Sequence, residues 1–258
     1  MSSEDHDFFA EHGFLNLGQA LNARDLERFQ MLFDHALTTK PYFWHKYGHW
    51  QHANYEALIS SPEFNNLIRH PSIYPRIEAL MGSPLCFGEI GLRLMKPYQG
   101  EEHQAWHRDR PHRPDHPLRL DYVQLMVYLT DVGEGDHCIS LSPESVREPV
   151  TESKEAQLAK GGQYHLHGPA GTCALFNASL LHTATTRPTE NERRTVQIYY
   201  GHRDRPPLAN DSTIPPAFWR DSEDEETRAF YGVLNERSRL YLKAFTADVD
   251  ISSGDRIN

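Results

Sequence analysis

Two spacings of apolar residues alternate along this chain. In the N-terminal part the spacing is helical: Leu26, Phe29, Leu32, Phe33 and Leu37 form one stripe behind a capping Asn22, with Asp25 three residues on. Phe8 and Phe9 lead into Gly13-Phe14-Leu15, and the first forty residues read as helical. Residues 41–55 carry Tyr42, Phe43, Trp44, His45, Tyr47 and Trp50 without a clean period and read as a packed surface loop, with a lid over a pocket as the alternative. Ser61-Pro62 opens a short helix with a cap and a first-turn proline, and Ile77, Leu80 and Met81 close another before Gly82. From Leu85 the spacing becomes two: Leu85, Phe87 and Glu89, then Leu92, Leu94 and Lys96, with a break expected at Gly88 or Gly91. Residues 110–120, rich in proline and histidine, read as a loop. Tyr122 to Leu129 is the strongest strand. His137–Leu141, Thr172–Phe176 and Arg194–Tyr200 follow as strands, with a charged helical turn around Glu152–Lys160. A proline-rich link through Pro206-Pro207 and Pro215-Pro216 leads to a charged helix from about Glu223 to Phe245, with Phe230, Leu234 and Leu242 facing inward.

Many short strands punctuated by Gly, Pro and Asp predict a mainly β fold with flanking helices, an antiparallel barrel or sandwich. No repeat or second unit interrupts it. The expected layout is one domain over 1–258, with N-terminal helices over 1–82, a barrel core over about 85–202 and a helical tail over 215–248.

The net charge of −10 argues against nucleic acid as a partner, although a local basic pocket can sit in an acidic protein. Cys86, Cys138 and Cys173 form neither a CxxC pair nor an even framework, which fits a reducing compartment. No apolar run reaches membrane-spanning length. A cytoplasmic monomer or homodimer acting on a small molecule is the expectation.

The chemistry concentrates at Trp106-His107-Arg108-Asp109. A histidine and a carboxylate two residues apart share one face of an extended segment. A second histidine from a distant strand, such as His182, completes a set that holds one face of an octahedral ferrous ion. Arg193, eleven residues after His182, offers a planar, two-pronged donor for a carboxylate. With sixteen histidines present, other pairs compete. His103 with His107 and His112 with His116 have zinc-like spacing, but no HExxH occurs and the prolines oppose a helix. His165 and His167 can present two imidazoles on one strand face, as metal-binding cupins do.

The order of these motifs resembles the phytanoyl-CoA dioxygenase family of 2-oxoglutarate-dependent oxygenases. The resemblance runs from Phe9-Ala10-Glu11-His12-Gly13-Phe14 through the His107 segment, Leu129-Thr130-Asp131, Gly171-Thr172 and Leu181-His182 to Arg193-Arg194-Thr195-Val196. It implies a double-stranded β-helix, a jelly-roll or cupin-like barrel. It also implies a dioxygenase that uses Fe(2+), 2-oxoglutarate and O2 and releases succinate and CO2. The metal ligands it implies are His107, Asp109 and His182, which are also the catalytic residues. Arg193 would hold the far carboxylate of 2-oxoglutarate, and strand parity admits only one of Arg193 and Arg194 to the interior.

Two positions depart from the family. Pro143-Glu144-Ser145-Val146 replaces a Pro-Gly-Ser-His turn, and Ala184 stands where a serine hydroxyl often meets the co-substrate. Thr183 or Thr185 is the expected substitute for that serine. Gln124 joins Thr183 as a cofactor-side candidate, and it, Tyr122 and the 41–55 and 110–120 loops are the expected substrate contacts. Asp109 occupies the position that halogenating relatives leave empty, so hydroxylation is expected over chlorination. The other class of function is a non-catalytic, cupin-like metal protein that binds a small ligand.

Overall fold

A computed structural model describes residues 1–48 and 50–246. Its frame is a seven-stranded antiparallel sheet in the order β1 (Phe14–Gln19), β8 (Thr172–Asn177), β5 (Tyr122–Tyr128), β10 (Arg193–His202), β4 (Leu85–Met95), β3 (Gln51–Asn54) and β2 (His45–Tyr47). A second sheet, β7 (Tyr164–Leu166), β6 (Cys138–Leu141) and β9 (His182–Thr185), faces it. The segment from Tyr98 to His107 continues that sheet, bridging to Thr189, Thr186 and His182. The arrangement is a double-stranded β-helix with flanking helices.

Alternation along the central strands divides the molecule into two cores. On one face of the large sheet, Leu92, Leu94, Val123, Leu125, Val196 and Ile198 pack against Phe29, Phe33 and Ala36 of helix Ala23–Thr39 and Ile77 and Leu80 of helix Tyr74–Met81. Each such large side chain contributes about 1.5–3 kcal/mol by leaving water. The other face looks into the barrel. There Met126, Tyr128, Ala174 and Phe176 meet Cys138, Ile139, Leu141 and Leu166 of the second sheet. This inner core fills only part of the barrel, and polar side chains line the remainder.

Several segments differ from their sequence reading. Phe14–Gln19 is a strand rather than helix: Gly13, at φ 75°, ends helix Ser3–His12 and turns the chain onto the sheet edge. The stretch expected to be a loop is mostly a hairpin, β2–β3, whose residues pair with one another and with β4. The N-terminal 82 residues are therefore not purely helical. The break near Gly88 is a bulge, since Tyr199 pairs with Glu89 and Tyr200 with Phe87 while β4 runs on. The expected tail helix is two helices, Glu225–Tyr231 and Glu236–Thr246, with Phe230 buried and Leu234 and Leu242 partly so. The last residues of the expected tail, 247 and 248, lie outside the described residues. Cys86, Cys138 and Cys173 are buried and unpaired. No helix among the described residues is long and apolar enough to cross a membrane.

Candidate active site

The barrel brings His107, Asp109 and His182 together. One donor atom from each lies within 4.8 Å of the others, and this is the one such metal-sized cluster among the described residues. His182 opens β9, and His107 sits directly opposite: each backbone N–H of the pair donates to the other's carbonyl, at 3.0 and 2.9 Å. Asp109 follows, its N–H donating to the Ala178 carbonyl at 3.0 Å. Its Oδ1 lies 3.4 Å from His107 Nε2 and its Oδ2 3.5 Å from His182 Nε2.

Both imidazoles are held from behind. His107 Nδ1 lies 2.9 Å from the Ala105 carbonyl and His182 Nδ1 2.9 Å from the Leu180 carbonyl. A carbonyl can only accept, so each Nδ1 carries the proton and Nε2 presents its lone pair to Asp109's side. Burial holds His182 below its ordinary pKa, in the neutral state a metal ligand needs. Contact with Asp109 raises half-exposed His107. Burial alone would raise Asp109, but His182, His107 and the Tyr199 hydroxyl, which donates to Oδ2 at 2.7 Å, hold it at about 2.

The segment carrying His107 is clamped on its outer side. Thr183 Oγ1 accepts the Ala105 N–H at 2.9 Å, and Thr185 Oγ1 accepts from Gln104 Nε2 at 3.0 Å. This corrects the expectation for both threonines. On β9 His182 and Ala184 line the cavity, so Thr183 and Thr185 point the other way. Arg108, between His107 and Asp109, donates to Glu144 at 2.6 Å and to the Ser179 carbonyl at 2.5 Å. Glu144, with Val146, also ties the 143–146 turn back to the first helix through His12 and Ala10. The turn that departs from the family pattern is thus held by an ion pair to the metal-ligand segment.

A cavity open to solvent joins the three residues to Tyr47, Gln51, Arg93, Gln124, Ile139, Ala184, Gln197 and Tyr199. Gln124 lines this cavity: its Nε2 donates to Gln197 Oε1 at 3.1 Å, while its own Oε1 is buried without a partner. Tyr122 packs with Tyr199 and Ala178, and its hydroxyl is taken by the Pro206 carbonyl. Gln197 and Tyr199 were not singled out in the sequence, although parity along β10 places them on Arg193's face.

Arg193 is 1 % exposed, and Nε, Nη1 and Nη2 all lack a hydrogen-bond partner. Burial pulls its pKa down, and Tyr128 beside it opposes this. Thr195, two residues on and on the same face, also has an unpartnered buried hydroxyl. An enclosed guanidinium with no anion is a strong indication of a missing anionic ligand. The donor set and this guanidinium fit a ferrous ion and the far carboxylate of 2-oxoglutarate.

The competing histidines fall elsewhere. His165 and His167 stack at 6.1 Å without a carboxylate to complete a metal cluster. His112 faces Glu144, and His116 Nε2 lies against the Met81 carbonyl.

Known proteins share this framework. Over 186 residues the chain is 23 % identical to an L-proline trans-4-hydroxylase from Streptomyces griseoviridis, covering 57 % of this chain and 69 % of that one. It superposes on EctD from S. alaskensis with 2-oxoglutarate and 5-hydroxyectoine at TM-score 0.68 and 17 % identity, over 88 % and 86 % of the two chains. It superposes on SnoK, an alpha-ketoglutarate-dependent carbocyclase of nogalamycin biosynthesis, at 0.67 and 19 %, over 79 % and 85 %. At these identities the structural likenesses establish the fold. The model of the phytanoyl-CoA dioxygenase (PhyH) family matches residues 9–195. The chain belongs to the phytanoyl-CoA dioxygenase family of iron(II)- and 2-oxoglutarate-dependent oxygenases.

Proposed function

We propose that this protein hydroxylates a small-molecule metabolite, with His107, Asp109 and His182 holding the ferrous ion and Arg193 holding the far carboxylate of 2-oxoglutarate. The observation that carries the reading is the enclosed, unpartnered Arg193 in the same barrel as the triad. The bound iron, 2-oxoglutarate and dioxygen supply the oxidising chemistry, with succinate and CO2 as co-products. The chain's own groups orient and enclose. The Ala105 and Leu180 carbonyls fix both imidazoles, and Tyr199 fixes the Asp109 carboxylate. Thr195 supplies the hydroxyl that Ala184 cannot, beside Arg193. Ile139 and Ala184 form an apolar wall that limits water. Gln124 Oε1 is an open acceptor toward the substrate side.

Asp109 fills a ligand position with a charged oxygen, which disfavours a halide on the same ion. The transferred group is therefore hydroxyl. We further propose one domain working in a reducing, cytoplasmic setting, in keeping with three buried free thiols. The test is turnover with ferrous iron and 2-oxoglutarate under isotopically labelled dioxygen and high chloride, in the presence of a metabolite extract. Succinate release and a labelled hydroxyl product are expected. A chlorinated main product would overturn the role of Asp109, and absence of succinate would favour a ligand-binding protein.

A further inference from the structure

A second guanidinium inside the barrel keeps two nitrogens without a hydrogen-bond partner. Arg93, 5 % exposed, stands on β4 directly across from Thr195 and lines the same cavity as His107, Asp109 and His182. Its Cζ lies 4.0 Å from the ring centre of Tyr47 and 4.3 Å from that of Tyr55. Nη2 donates to the Tyr55 hydroxyl, while Nε and Nη1 are buried without a hydrogen-bond partner. Glu89, the buried acid on the same strand face, favours the cation through space without a hydrogen bond to it. Two tyrosine rings therefore pre-orient a cation whose remaining hydrogens are unspent. Tyr55, Tyr47 and Glu89 hold the cation in its charged state, and the two unpaired nitrogens leave it able to bind a further anion.

The two arginines differ in access. Arg193 is fully enclosed and does not line the open cavity, whereas Arg93 does. 2-Oxoglutarate held at the metal through one end would have one carboxylate left for a guanidinium, and Arg193 would hold it. Arg93 lines the cavity together with Tyr47 and Gln51 of the β2–β3 hairpin. Those two residues also line an adjoining cavity with Lys46, Trp50 and Lys96. In a chain of net charge −10, this adjoining cavity is locally cationic.

We propose that the substrate is a small carboxylic acid whose carboxylate binds Arg93 between Tyr47 and Tyr55, placing the rest of the molecule at the metal. The inference rests on the metal and co-substrate assignments of the proposed function and adds the substrate's chemical class. Arg93 is a specificity residue, and the hairpin that carries Tyr47 is part of the recognition surface.

The test uses the intact protein, without oxygen, carrying ferrous iron and 2-oxoglutarate. The probes are acetate, benzoate and L-proline against acetamide, benzamide and L-prolinamide. The visible charge-transfer band of the iron–2-oxoglutarate chelate reports co-substrate binding, and its perturbation reports the probe. At least one carboxylate should perturb the band saturably while its amide does not. Arg93→Gln should weaken that binding by roughly a hundredfold, the scale of a lost buried charge-assisted contact, with the chelate band still formed. Arg93→Lys, which keeps the cation and serves if the glutamine variant does not fold, should lose roughly tenfold. Arg193→Gln should instead lose the chelate. Equal responses to acids and amides, or no response to any carboxylate, would overturn the inference and leave the metal centre intact. Loss of 2-oxoglutarate in Arg93→Gln to the degree seen in Arg193→Gln would make Arg93 a co-substrate residue and also overturn it. Absence of the band from the unmodified protein would overturn the metal-centre reading, and this inference with it.

Discussion

Arg193 and Arg194 are adjacent in sequence and opposite in surroundings. Arg193 is sealed in the barrel without a partner, while Arg194 reaches outward to Asp34 and Glu192. Alternation along a strand makes this separation unavoidable. Replacing Arg193 with Lys keeps a charge but loses the fork, so 2-oxoglutarate affinity should fall by about 1.5–3 kcal/mol in a binding titration. Arg194→Lys should change it far less, and the reverse order would mean the strand is read one residue out of register. Tyr199 acts one step behind the ligands. Tyr199→Phe removes the hydrogen bond to Asp109 Oδ2, and ferrous affinity should drop roughly 10–100-fold. An unchanged iron titration would remove Tyr199 from the site. The parity that selects Arg193 also selects Gln197 and Tyr199, so both were legible in the sequence. Applied to His182, it turns Thr183 and Thr185 away from the cavity. Arg93 was not legible, because β4 is buried on both faces and a cation there does not stand out from its apolar neighbours.

At the level of elements, what aims the site is the clamp between the His107 segment and β9. Backbone bonds run between His107 and His182 and between His103 and Thr186, and Thr183 adds a side-chain acceptor for the Ala105 N–H. Thr183→Val preserves shape and removes that acceptor. Denaturant unfolding should show a loss of about 1–3 kcal/mol, accompanied by weaker iron binding. Full stability with full iron affinity would show that the clamp does not depend on this hydroxyl. Strands β5, β8 and β10 were readable as short runs rich in β-branched and aromatic residues bounded by turn residues. The hairpin β2–β3 was not: β2 is three exposed residues, and aromatic and histidine side chains obscure any period of two. Nor was β1, where Gly13 switches the chain from helix to strand within one residue.

In the whole molecule, stability and chemistry occupy opposite faces of one sheet. The helix-backed face is continuous and apolar, whereas the barrel interior gives up packing to hold Arg93, Gln124, Arg193 and the His-Asp-His cluster. The fold class was legible because the period changes from 3.6 to two near Leu85. The cluster was legible because its members fall in a recognisable order, though only tertiary structure brings His182 opposite His107. Removing a ligand should therefore spare the fold. The most direct measurement is anaerobic ferrous titration of the unmodified protein, His182→Ala and His165→Ala, with thermal unfolding of each. The unmodified protein and His165→Ala should bind one ferrous ion, and His182→Ala should bind none while unfolding at a similar temperature. Retained iron in His182→Ala, or equal loss in His165→Ala, would contradict the assignment of the metal centre.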